Sequence, residues 1–295
     1  MCKYLITVFL MFWFLLFNNV NVMAQNKNGR PAPKEIKVPK GLIYKVKHYR
    51  EGKFTRASEM DISYKEDGNK KKPVIVFIHG GGWTKGDNDQ VAWQVFGAAQ
   101  QGFVAISISY RLLSEAPFPA CIEDVKQAIR YLKSLKNELP IDVKRIGVWG
   151  YSAGAHLALM VALSPDEEFK TASYNNYNAN IKTVMAVSAP TDFVARVKDK
   201  GTLTILSKYQ NTSMDFLESI SPISYINKNQ IPVYMLHGTS DPIVKPFHYK
   251  NFEKKIHQTQ VTNFKLFEFK EAGHMFYFRD SKNVKPIFQE FLQSI

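Results

Sequence analysis

The 295 residues are enough to bury a full core in one domain, and they carry a net charge of +13. That charge invites nucleic acid or an acidic polymer as partner. The lysines are scattered, however, with Asn69-Lys70-Lys71-Lys72 the densest run, and no zinc finger, RNA-binding aromatic signature or basic helix accompanies them. The reading is therefore no nucleic acid, with acidic polysaccharide left open.

In chain order, Lys3 precedes an apolar run of about fourteen residues from Tyr4 to Phe17, and Val22-Met23-Ala24 then precedes Gln25. A basic start, an apolar centre and small residues at the cut positions describe a secretory signal peptide over 1–24. The run is short of the roughly 20 residues that span a bilayer, which argues against a retained anchor. Secretion or a periplasmic location follows, with no stable membrane insertion after cleavage. Cys2 leaves with the signal, so Cys121 is alone in the mature chain and no intramolecular disulfide can form.

Residues 25–40 are rich in Pro, Lys and Asn and read as a flexible leader. From 41 to 295 the pattern is that of a single domain. Two strands at 43–49 and 57–64 are expected to open the sheet as an antiparallel pair. The apolar, largely β-branched runs at 73–78 and 103–108 mark strands buried on both faces. Helix 120–137, strand 145–149, helix 153–163, strand 183–188, strand 233–236, helix 247–258, strand 264–269 and helix 284–294 follow. This alternation predicts an α/β fold, a mostly parallel central sheet with helices on both faces. Residues 192–230 break the rhythm and read as an inserted cap or substrate wall.

The chemistry collects at strand ends. Gly150-Tyr151-Ser152-Ala153-Gly154 lies between a strand and a small-residue helix, the pattern of a nucleophile elbow. Glycine on either side removes clashes in a tight turn, and the serine hydroxyl is left at a helix start, where the dipole favours a developing oxyanion. His79-Gly80-Gly81-Gly82-Trp83 ends an earlier strand, and its glycines would bare backbone N–H groups. Gly81, Gly82 and Ala153 are the expected oxyanion donors, and His79 a buried support for the loop. Asp241 lies at the lip of the turn after strand 233–236, and His274 on the loop after strand 264–269. The order Ser152, Asp241, His274 makes these three the expected catalytic residues, with Asp192 the competing acid. Glu271 is too near His274 in sequence to reach its ring. His156 is expected to pack against the sheet and His237 to support a strand end. His48, His248 and His257 are expected at the surface or an edge. Trp83 and Tyr151 are candidate substrate contacts, Trp83 as a stacking surface together with aromatics of the insert. No metal or cofactor is called for.

These segments, with Tyr110-Arg111-Leu112, the run from Phe118 to Val125, and Ala155-His156-Leu157-Ala158 after the elbow, resemble the α/β-hydrolase esterase/lipase family. The likeness is to secreted bacterial acetyl- and feruloyl-esterases, with hormone-sensitive-lipase-like relatives. It implies the α/β-hydrolase fold, serine-hydrolase chemistry and the triad Ser152, Asp241, His274. It also implies that Arg111, Glu123 and Asp124 are structural. The chain lacks the long N-terminal helical cap of the lipase-like branch, which argues against lipid substrates. The expected activity is hydrolysis of short-acyl or feruloyl esters of polysaccharide through an acyl-enzyme. An arylformamidase-like amide hydrolase, an oligopeptidase and a non-catalytic binding protein share the fold and stay open as alternatives.

Overall fold

A computed structural model describes residues 36–50, 55–68, 70–195, 206–210 and 212–295. The expected signal peptide, residues 25–35 of the leader, and 196–205 and 211 of the insert lie outside the described residues.

The apolar runs form the middle of an eight-stranded sheet. Its strands are β1 (Leu42–His48), β2 (Glu59–Lys65), β3 (Lys72–Ile78), β4 (Val104–Ile108), β5 (Ile141–Tyr151), β6 (Thr183–Val187), β7 (Val233–Gly238) and β8 (Phe264–Phe269). They lie in the order β1-β2-β4-β3-β5-β6-β7-β8. β1 pairs antiparallel with β2, and β2 with β4; every pairing from β4 through β3 to β8 is parallel. Side chains alternate across a strand, and β3 shows the consequence. Val74, Val76 and Ile78 join the core on one face, Ile75 and Phe77 the core on the other.

Seven helices occupy the described residues: α1 (Ala92–Gln100), α2 (Ala120–Ser134), α3 (Ala153–Leu163), α4 (Met214–Ser219), α5 (Phe247–Thr259), α6 (Phe276–Arg279) and α7 (Ser281–Gln293). α2, α3 and α5 cover the first face, α1 and α7 the second. α3 is buried nearly all round, as befits a helix with no polar stripe.

Some boundaries differ from expectation. β5 starts at Ile141, ahead of 145, because Ile141 already pairs with Lys72 of β3, and the register then shifts between Lys72 and Val74. This irregularity lets the polar 142–145 stretch sit within a strand without entering the core. Residues 56–58 form a 3-10 turn leading into β2. α1 has no counterpart in the sequence reading; its nine residues contain Gly97 and bury only Val95, Phe96, Ala98 and Ala99, too short a stripe to stand out. α7 starts at Ser281, where the Asp280 side chain accepts from the Asn283 amide.

All of this directs one end of the sheet. Because β3, β5, β7 and β8 run parallel, the segments after their last residues meet along a single edge, and these carry His79–Trp83, Ser152, Asp241 and His274.

Candidate active site

Ser152 follows the last residue of β5 and precedes the first of α3. Its backbone has φ +55° and ψ −120°, a region that costs a residue with a side chain about 1–3 kcal/mol. The strain is held by close packing. A Cβ on Gly150 would lie 2.2 Å from the Gly154 carbonyl oxygen, and one on Gly154 would lie 2.2 Å from the Ile78 oxygen. Only glycine fits at either position, so the flanking glycines act through close approach, as the elbow pattern requires. The Ser152 amide donates to Val187 O at 2.8 Å, fastening the turn to the end of β6.

The hydroxyl has a base and the base has an acid. Ser152 Oγ lies 3.0 Å from His274 Nε2, and His274 Nδ1 lies 2.7 Å from Asp241 Oδ2. The carboxylate can only accept, so Nδ1 carries the proton and Nε2 is left to receive the serine hydroxyl's. Asp241 Oδ1 accepts from the Ile243 and Val244 amides, both at 2.9 Å. Burial pushes the Asp241 carboxyl up, but His274 and these two amides outweigh it and hold the group below the ordinary carboxylate range. His237 supports this turn from below, its Nε2 meeting Val244 O at 2.8 Å, which matches the strand-end role expected of it.

Asp192 is placed elsewhere. Its oxygens accept from the Ala195 amide at 2.8 Å and from Asn251 Nδ2 at 2.9 Å, so it closes a local turn and anchors α5. His248, expected at the surface or an edge, is fully buried; its Nδ1 accepts from the Thr191 and Asp192 amides, both at 3.1 Å, and so fixes the same turn. His79 is buried, stacked on Tyr110 with ring centroids 4.3 Å apart, and is a loop support as expected.

The glycine loop passes directly beside the elbow. A Cβ on Gly80 would come 3.3 Å from Ser152 Cβ. Gly81 and Gly82 follow with φ +115° and +60°. Among the described residues, the amides of Gly81, Gly82 and Ala153 donate no backbone hydrogen bond. They are available to an acceptor at the serine.

Trp83 requires a correction. It is 2% exposed and enclosed by Phe118, His156 and Phe193, with centroid distances of 5.8, 5.4 and 5.8 Å. A ring so covered offers no face for stacking a sugar. Its indole N–H donates to His156 Nδ1 at 3.2 Å, and His156 Nε2 donates to Ile220 O at 2.8 Å. His156 therefore does not pack against the sheet. It joins the glycine loop to the segment after α4, and its complete burial lowers its pKa to about 4, so it stays neutral. Tyr151 is half-buried; its hydroxyl has two acceptors in reach, Met275 Sδ at 2.9 Å and His274 O at 3.2 Å, and its ring lies 5.1 Å from the His274 ring.

Arg111 and Asp124 are structural, as the resemblance implies. The Arg111 backbone N–H and Nε both reach Asp124 Oδ2 at 2.8 Å, tying the loop after β4 to the first turns of α2. Cys121 is a free, buried thiol.

The BD-FAE family profile matches residues 60–256, about two thirds of the chain. The protein belongs to the BD-FAE family. The matched span contains Ser152 and Asp241 and ends before His274. Esterase LipC of Mycobacterium tuberculosis is 25% identical over 226 residues, covering 74% of this chain and 56% of that protein. Carboxylesterase NlhH of the same organism is 40% identical over 93 residues, covering 30% of this chain and 28% of its own. The chain spans about half the length of the first of these curated relatives. Among solved structures, esterase Est2 of Thermogutta terrifontis superposes with a TM-score of 0.72 at 23% identity, over 84% of this chain and 91% of that one. A bifunctional GH43-CE protein of Bacteroides eggerthii gives 0.74 at 23% identity, over 88% of this chain and 39% of that one. With the strand order above, these likenesses establish the α/β-hydrolase fold of this BD-FAE member.

Proposed function

We propose that this protein is an exported carboxylic-ester hydrolase that cleaves short-acyl or feruloyl esters of polysaccharide through an acyl-enzyme. The observation that carries the reading is the continuous relay from Ser152 Oγ through His274 to Asp241, seated on a strained elbow beside a glycine loop.

The chemistry follows from these positions. His274 Nε2 takes the Ser152 proton as Oγ attacks the ester carbonyl carbon. The carbonyl π pair moves to oxygen, and the Gly81, Gly82 and Ala153 amides hold the resulting oxyanion. When the tetrahedral species collapses, the C–O bond to the alcohol breaks and His274 returns the proton to the leaving oxygen. Water then repeats the sequence on the acyl-enzyme and releases the acid. Asp241 keeps the Nδ1 proton in place and stabilises the imidazolium that forms twice per turnover.

The short-acyl reading is supported by the Thermogutta esterase, solved with butyrate and with propionate bound. The polysaccharide reading is supported by the resemblance to secreted acetyl- and feruloyl-esterases and by the basic-then-apolar N-terminal sequence. No helix among the described residues is long and apolar enough to cross a membrane.

Initial rates on p-nitrophenyl acetate, p-nitrophenyl octanoate and methyl ferulate, with Ser152→Ala alongside, test the reading. Acetate or ferulate turnover that exceeds octanoate turnover and vanishes in the variant supports it. Turnover that survives in Ser152→Ala, or a preference for octanoate, overturns it.

A further inference from the structure

The far end of the sheet carries a second concave site. A cavity of about 490 Å³ opens where α2 ends and β5 and β6 begin, at the opposite ends of these strands from Ser152. Lys133, Lys136, Lys144 and Lys182 line it, with Tyr177 and Asn178, and no carboxylate does. The acids in this neighbourhood are engaged by other groups. Asp166 accepts from Arg130 and from the Ala179 amide, and Asp142 from Arg145.

Lys133 is the informative member. It is only 8% exposed, and its ammonium donates to Asn178 Oδ1 and Asn180 O, both at 2.7 Å. Those are neutral acceptors; among the described residues no carboxylate pairs with it. Burial pushes its ammonium down to about 8, an effect the nearby Asp166 carboxylate, itself bonded to Arg130, offsets only in part. A buried ammonium bonded only to neutral oxygens is costly unless a further anion approaches it. Lys136 lies over the Tyr177 ring at 5.9 Å, and Lys182 donates to Ile295 O at 2.9 Å, each keeping further N–H donors.

We propose that this cavity binds a carboxylate-bearing sugar, such as a uronic-acid unit of an acidic oligosaccharide. The volume is that of a small-molecule site and exceeds what a bare ion fills. The Tyr177 ring offers an apolar face, Asn178 an amide for hydroxyls, and the lysines a counter-charge for the carboxylate. The site stands apart from the triad, so it does not depend on the esterase reading. It gives the overall positive charge a local purpose.

Isothermal titration with trigalacturonate, a neutral galactose trisaccharide and inorganic phosphate, on the full chain and on Lys136→Gln/Lys144→Gln, tests this. The expected result is trigalacturonate binding below about 1 mM, with no binding of the neutral sugar. The double variant should weaken binding about tenfold, the cumulative effect of removing two partly exposed cations. Raising salt to about 0.5 M should weaken it further. Saturating Ser152 with a fluorophosphonate should leave it unchanged, since the two sites lie at opposite sheet ends. No binding, equal binding by the double variant, loss on labelling Ser152, or phosphate binding as tightly as the sugar acid overturns the proposal. The variant's activity on p-nitrophenyl acetate, where present, and its thermal melt should match the parent and so report that it is folded.

Discussion

His274 and His156 both lie near the elbow, one on the loop after β8 and one in the first turns of α3, and their surroundings set opposite roles. His274 lies between a hydroxyl and a carboxylate, at 3.0 and 2.7 Å. One ring nitrogen thus faces the serine hydroxyl, and the other is held by the Asp241 carboxylate. His156 lies between an indole N–H and a backbone carbonyl, at 3.2 and 2.8 Å, with no charge in contact and no solvent. Its basic nitrogen is already occupied by Trp83. The same side chain is a proton carrier in one setting and a neutral spacer in the other, and the partner atoms decide which.

The largest test of that contrast exchanges each ring for an amide. His274→Gln should lower kcat by about 10⁴-fold or more, because no group remains to accept the serine proton. His156→Gln can still accept from Trp83 and donate to Ile220, and should keep kcat within about tenfold. Comparable losses in the two would show that His156 takes part in the chemistry.

The acid comes next. Asp241→Asn should cost up to about 10⁴-fold in kcat through loss of the proper His274 tautomer. Asp192→Asn, whose carboxylate among the described residues bonds to Ala195 and Asn251, should cost less than about threefold and express itself in the melting temperature. The reverse ordering would move the orienting acid to the end of β6.

The buried spacer makes a smaller, pH-dependent prediction. His156 falls from 6.5 to about 4 on folding. Above about pH 6.5 both folded and unfolded rings are neutral and the full stability is present. As pH falls toward about 4, the unfolded chain takes up a proton that the folded chain refuses, so stability is lost. The shift amounts to about 3 kcal/mol. Urea unfolding at about pH 7.5 and pH 4.5 should show wild type losing roughly that much more than His156→Gln. Equal pH dependence in the two would mean that the ring is solvated or charged in the folded protein.

These comparisons also mark what the sequence could and could not disclose. Ser152, Asp241 and His274 were legible as candidates because each follows, within a few residues, a strand the sequence pattern identifies, and chain order supplies their pairing. The glycines beside Ser152 were legible because steric exclusion acts on neighbours a few residues away. Trp83, His156 and His248 were not. Whether an aromatic on a glycine loop faces solvent or Phe193 depends on a segment more than a hundred residues distant, and no local pattern encodes it. α1 was hidden for a different reason, since nine residues with an interior glycine carry little periodic signal.

Tyr151 makes the finest distinction. Its hydroxyl is shared between the His274 carbonyl and Met275 Sδ, and burial, with Asp241 nearby, raises its pKa and keeps it neutral. On this geometry it positions the base and is not itself a substrate contact. Tyr151→Phe removes a neutral donor shared between His274 O and Met275 Sδ, worth about 0.5–1.5 kcal/mol. If its role is positioning, kcat should fall by about two- to tenfold with KM unchanged, and the loss should be alike for acetate and ferulate esters. If the hydroxyl instead turns toward the alcohol or acyl group, KM should rise and the two esters should separate. The second outcome would restore Tyr151 as a specificity residue, and would mean that the bond to His274 O opens when substrate enters.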